Sequence, residues 1–224
     1  MRKSFTVLLM LFSIVLTAQN MDIPKEKDFL KLFIGVGASF SNGYEINDYL
    51  SKNGIQTLNP VEINANAGII FFNDDVDIDL GYEMFASGNN NDETKNRLIS
   101  NGVKLRAHYV IPIHKDIELG TGFTISYAKK KLAVFYTDYV LDFDNLPSGI
   151  NGNQISLFIE KAYLGPSLSF KVRNTGRNNQ QTKVTFSYEF PINNQPWKSD
   201  FSKFQNTIHE SKRNQFVMNL TFVL

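Results

Sequence analysis

His209-Glu-Ser211 is the one place where a base and a nucleophile stand close enough in sequence to suggest acyl-transfer chemistry. A serine hydroxyl attacks only when an imidazole takes its proton and a third group orients that imidazole. No orienting acid is evident beside the pair, so we expect no catalytic site. The chain holds 3 histidines and no cysteine. His108, His114 and His209 are scattered without the spacing of a zinc site, and neither a metal nor a cofactor is expected. Gly35-x-Gly37 and Gly120-x-Gly122 fall inside strand-like segments and open no helix, which excludes a phosphate loop. Asn219-Leu-Thr221 has the form of a glycosylation sequon but also lies inside a strand-like segment.

The remaining chemistry-bearing residues are periodic. From Val76 to Ser87, Val76, Ile78, Leu80, Tyr82, Met84 and Ala86 alternate with Asp77, Asp79, Gly81 and Glu83. That period of two is a strand with one apolar and one polar face. Seven further segments read the same way: Leu32 to Phe40, Val61 to Phe72, about Leu98 to Ile111, Ile117 to Tyr127, about Leu157 to Val172, Lys183 to Phe190, and Phe216 to Leu224. Pro166 cannot donate to a ladder, so a bulge or a gap in pairing is expected there. Segments two and three, four and five, and six and seven are joined by short turns. The links Ser41–Pro60, Asn89–Arg97, Lys129–Ser156 and Ile192–Arg213 are longer and polar.

The N-terminus has a basic start, Met1-Arg-Lys-Ser, an apolar run from Thr6 to Leu16, and Thr17-Ala18-Gln19 as a cleavage region, the pattern of a secretory signal peptide. The expected organisation is a signal peptide over residues 1–18, a periplasmic spacer over 19–29 and one β-barrel over 30–224. The apolar run is shorter than the roughly 20 residues of a spanning helix. With no cysteine, disulfide and lipoprotein scaffolds are excluded. The whole chain has 23 basic and 22 acidic residues, and removing Arg2 and Lys3 leaves 21 against 22. Such a balance does not suit nucleic acid, which requires a gathered basic excess.

The apolar alternation of Phe216, Met218, Leu220, Phe222 and Leu224, with an aromatic near the end, resembles the terminal strand of bacterial outer-membrane β-barrels. Together with the even strand number and the alternation of long and short links, it makes the chain similar to the small OmpX-like and OmpA-barrel families and to the PorT-like outer-membrane proteins of Bacteroidota. The resemblance implies an eight-stranded antiparallel up-and-down transmembrane barrel in the cell outer membrane, not an enzyme. Its role would be structural or surface-binding, with a secretion-system accessory as the PorT-like alternative. His209 and Ser211 are similar to the His-x-Ser pair of outer-membrane lipid A deacylases, which implies a lipid A hydrolase as a third reading. The expected partners are outer-membrane lipid and lipopolysaccharide, and another envelope protein through the outer loops.

Periodicity leaves two orientations open: apolar face towards lipid, or apolar face inward as in a secreted lipocalin-like barrel. Loop asymmetry and a polar face rich in Gly, Ser, Thr and Asn favour lipid. Eight strands enclose a space that side chains just fill, so an ion network rather than a porin channel is expected. Glu83, Lys104, Arg106, His108 and Glu118 are its candidates, with His108 near Glu118 and Glu83 within diagonal reach of Lys104 or Arg106. Lys171 and Lys183 are expected to face each other at a wet periplasmic rim. The candidate surface-binding loop is Lys129, Lys130, Lys131, Phe135, Tyr136 and Tyr139. Its apolar run Leu132 to Leu141 suggests strands that continue beyond the bilayer, and the three lysines suit anionic headgroups.

Overall fold

The computed structural model describes residues 30–73, 75–90, 94–114, 116–136, 154–173, 181–199, 207–211 and 213–224. The signal-peptide and spacer segments lie outside these residues, as do Tyr139 and the side chain of Tyr136. Eight strands are observed, β1 (Leu30–Ser41), β2 (Val61–Phe72), β3 (Val76–Asn90), β4 (Thr94–His114), β5 (Ile117–Tyr136), β6 (Gln154–Arg173), β7 (Gln181–Pro191) and β8 (Gln215–Val223). One short helix, α1 (Asn47–Lys52), interrupts the first long link.

Every neighbouring pair is antiparallel, and β1 also pairs with β8, from Phe33↔Val223 to Ser41↔Gln215, which closes the barrel. Closure removes the sheet edges that would otherwise stay unpaired in hydrocarbon. The expected opening at proline is present: β6 pairs with β7 at Leu164↔Phe190 and again at Ser167↔Ser187, skipping Gly165 and Pro166. A register shift between Pro112 and His114 breaks the β4–β5 ladder near its short-turn end. Gly122 faces inward, where a Cβ would collide with the Ala107 carbonyl, so only glycine lets these two strands approach as they do.

Burial decides the orientation. Leu32 is 61% exposed, Ile63 71% and Phe123 47%, whereas Asp79 is 2% exposed, Arg106 1% and Glu189 0%. A water-soluble barrel would have these faces the other way round. Apolar wall outside and charge inside is the arrangement of a barrel that spans lipid, and the lipocalin-like alternative falls.

Strand lengths are uneven. β4, β5 and β6 reach 21, 20 and 20 residues, well past the 9–11 or so that cross a bilayer. With β3 they form a sheet that stands above the barrel on the long-loop side. The expected link Asn89–Arg97 shrinks to residues 91–93 because both strands continue through most of it. The first long link is not a solvated loop: it folds into the barrel mouth, with Tyr44, Ile46, Leu50, Ile55 and Leu58 buried against Phe85, Leu98, Leu132, Val134, Leu157, Ile159 and Trp197. Gly54, at φ +70°, allows the chain to turn out of α1. The short-turn end is closed by a smaller apolar cluster of Phe33, Ile70 and Val223, with Phe72 packed against it.

Candidate functional site

Inward positions between the two apolar plugs carry four tiers of charge. Nearest the short-turn end, Lys171 Nζ lies 3.0 Å from Asp77 and 2.6 Å from Glu118. Next, Asp79 holds Arg106 at 2.5 Å and Lys183 at 3.1 Å. Above these, Lys104 bridges Glu83 at 3.2 Å and Glu189 at 3.1 Å. Glu189 also accepts hydrogen bonds from Ser126 and Ser187 hydroxyls and from Gln215 Nε2. Buried charge is tolerated when paired and hydrogen-bonded in this way.

The predicted network is thus brought together only in part. Glu83 meets Lys104, while Arg106 turns to Asp79. His108 does not approach Glu118: the register sets His108 opposite Gly122 and Glu118 opposite Pro112. The His108 ring contacts Ser167 Oγ at 2.8 Å and Lys183 Nζ at 3.3 Å instead. The Lys171↔Lys183 pairing is present, but its wet-rim placement is wrong. Both are buried, and the two aspartates of β3 separate their charges.

Lys130 also requires correction. Of the Lys129-Lys130-Lys131 run, only the outer two face outward, since a period of two sends the middle residue into the lumen. Lys130 is 3% exposed and lies 2.6 Å from Glu62. Arg213 meets the same carboxylate at 2.5 Å, its guanidinium 3.7 Å from the centre of the Tyr44 ring. The Tyr44 hydroxyl donates a short hydrogen bond to Glu62. Burial, reinforced by the Glu62 charge and outweighing the pull of Arg213, holds the Tyr44 hydroxyl well above its ordinary pKa. Burial alone would lower that of Arg213, but Tyr44 and Glu62 dominate and raise it. Between this fourth tier and Lys104 lies a cavity of about 40 Å³, room for roughly one or two waters.

The mouth is locked from the last long link. Glu210, 1% exposed, accepts the backbone N–H groups of Glu45 at 2.8 Å and Ile46 at 3.0 Å. Its Oε1 also accepts the Trp197 indole N–H at 2.9 Å. Ile46 is the N-cap of α1 and has no capping side chain of its own, and the Glu210 carboxylate fixes the chain where it enters the helix by binding the N–H groups of Ile46 and the residue before it. Tyr44, Glu210 and Arg213 escape sequence reading because none lies on a strand period. A lone tryptophan in a polar link was the available signal.

His209 and Ser211 do not form a catalytic pair among the described residues. His209 is exposed and its backbone bridges to Pro196, and the Ser211 hydroxyl donates to Glu45 at 3.1 Å. Phe135 faces outward from β5 at 36% exposure. Lys129 lies 4.5 Å over the Phe158 ring and 3.7 Å from Glu160.

No protein-family model matches this chain, and no curated protein matches it by sequence. Among solved structures it is similar to Ail, the attachment invasion locus protein of Yersinia pestis, with a TM-score of 0.45 and 14% identity over 87% of this chain and 97% of that one. It is similar also to Neisserial surface protein A, with a TM-score of 0.48 and 8% identity over 87% and 96%. A major outer membrane protein from Thermus thermophilus aligns with a TM-score of 0.45 and 11% identity over 87% and 99%. The likeness is to small outer-membrane barrels. It is a loose one, and the closed barrel and the orientation of its faces rest on the ladders and burial described above.

Proposed function

We propose that this protein is an integral outer-membrane barrel that acts by binding at the cell surface, with a lumen that does not conduct. The observation that carries this reading is the contrast between a filled interior and an overbuilt exterior. Charge tiers and two apolar plugs occupy the bore, while β3 to β6 continue above it as a four-stranded sheet. The upper reach of β6 pairs with β5 on one side and, among the described residues, on the other only with isolated groups of the last link, through Lys198 and Asn193. Such an edge suits strand addition by another envelope or surface protein. Nothing specific in the geometry favours the secretion-accessory or hydrolase alternatives.

The test is membrane flotation followed by gel mobility with and without boiling, then capture of surface partners by the folded chain in detergent. A floating, heat-modifiable species whose captured partner is lost when Ser156 is replaced by proline supports the reading. A soluble species, or steady ion conductance in a planar bilayer, sinks it.

A further inference from the structure

The outer wall of the sheet changes character abruptly just above the apolar belt. Along β5 the outward residues are Ile117, Leu119, Thr121, Phe123, Ile125 and Tyr127, followed by Lys129 and Lys131. The ten-residue step from Ile117 to Tyr127 spans roughly 33 Å of strand, which a tilt of about 40° reduces to about 25 Å, the height of a barrel's apolar band. Lys129 therefore stands at the level of the outer headgroups, with Lys131 roughly 5 Å further out.

Neighbouring β4 contributes Lys95 and Arg97 to the same face. The register Lys95↔Phe135, Arg97↔Ala133, Ile99↔Lys131 and Asn101↔Lys129 sets Arg97 diagonal to Lys131, about 7–8 Å away. Four cations thus climb two adjacent strands. Lys129 is shared with Glu160, but Lys95, Arg97 and Lys131 have no ion-pair partner among the described residues. Beside them an open groove of about 510 Å³ is lined by Gly88, Asn90, Lys95, Arg97 and Phe135. Gly88 faces outward and supplies no side chain to fill it.

We infer that this face is a binding site for the phosphorylated sugar headgroup of a surrounding lipid. Arg97 offers a planar fork for phosphate oxygens, and Lys95 and Lys131 add point charges to either side. Phe135 gives a flat apolar wall for a sugar ring, and the Asn90 amide can hydrogen-bond hydroxyls. A lipid source follows from continuity with the apolar belt. The cations start at Lys129, two residues above Tyr127, and run up to Lys95 and Phe135, roughly 20 Å above it along the barrel axis. A headgroup spread over this face would have its acyl chains against Tyr127, Val103 and Ile125. The site rests on the membrane-spanning reading. It excludes Lys130, which faces the lumen.

The test uses the full chain in detergent, with bound lipid counted by native mass spectrometry. The probes are bisphosphorylated lipid A, the same lipid with both phosphates removed, and glucosamine 1-phosphate, which has no acyl chains. The variant is Arg97→Gln with Lys131→Gln, and Lys52→Gln, an exposed cation on α1, is the control. The expected result is a preference for phosphorylated over dephosphorylated lipid of about tenfold or more, the scale of a few headgroup contacts. It is lost in the variant and kept in the control. Phosphate-blind binding, or undiminished binding by the variant, overturns the inference. So does equally tight binding of glucosamine 1-phosphate, which would make the ligand a soluble phosphorylated sugar. Boiled and unboiled gels run in parallel: a wild-type chain without a mobility shift overturns the membrane reading and this inference together, whereas the failures above, in a heat-modifiable barrel, overturn this inference alone.

Discussion

Glu210 accepts the Trp197 indole N–H at 2.9 Å with the same carboxylate that caps the backbone of Ile46. One buried acid therefore ties the last long link to the first and holds the apolar lid on the barrel. Replacing it with alanine orphans donors on both links, each costing about 1–3 kcal/mol when buried. Glu210→Ala is expected to loosen the lid while leaving the strands closed: Trp197 emission shifts to the red and protease cuts between Ser41 and Pro60, yet the gel-mobility shift persists. Unchanged emission would show that the apolar cluster holds without the clamp.

Among the described residues, Glu62 is the single anion facing Lys130 and Arg213 at short range. Glu62→Ala strands two buried cations and is expected to cost about 3–5 kcal/mol. In urea unfolding from lipid vesicles, Glu62→Met with Lys130→Met should recover part of that loss, because an apolar pair of similar volume leaves one fewer stranded charge. A double variant no better than Glu62→Ala would place the cost in packing instead.

The alkaline limb of stability should report Tyr44. Its native pKa is raised above the ordinary 10.0, so below pH 10 it is neutral in both states and has no pH effect. Above pH 10 the unfolded chain ionises first, and stability falls as pH rises towards the native pKa. By pH 11 the wild type should lose about 1.4 kcal/mol more than Tyr44→Phe. Parallel losses in the two proteins would show that Tyr44 ionises freely in the native state.

Ser211 makes one exposed side-chain hydrogen bond, to Glu45. Ser211→Ala is expected to shift stability by no more than about 0.5 kcal/mol and to leave the acylation of lipid A in whole cells unaltered. A change in lipid A acylation would revive the hydrolase reading.

The strands are legible because a barrel in lipid repeats one rule at every second residue, and Val76 to Met84 or Phe216 to Phe222 obey it without exception. The middle lysine of Lys129-Lys130-Lys131 obeys it too, in phase with inward Thr124 and Ser126, but in sequence it is masked by the two cations that flank it. Pairing His108 with Glu118 presumes a turn over Pro112 to Lys115, but β4 runs on to His114 and sets His108 opposite Gly122. The lid is illegible for a different reason: Tyr44, Ile46, Leu50, Ile55 and Leu58 are spaced by a short helix and irregular backbone, and their burial depends on strands distant in sequence. The outward cations Lys95 and Arg97 disappear into what looks like a loop, because a strand leaving the bilayer also leaves the apolar alternation that announces it.

The charge tiers also bear on how the barrel is made. Asp77 on β3 pairs with Lys171 on β6, Asp79 on β3 with Lys183 on β7, Lys104 on β4 with Glu189 on β7, and Glu62 on β2 with Lys130 on β5. None of these pairs joins strands adjacent in the ring. The β3–β4 hairpin pairs Asp79 with Arg106 and Glu83 with Lys104 internally, but entering ahead of the others it would still carry Asp77 unpaired into hydrocarbon, where a buried charge costs several kcal/mol. Pairs within a hairpin thus favour its insertion, whereas the pairs that reach across the lumen are completed only in the closed ring and reward the correct strand order.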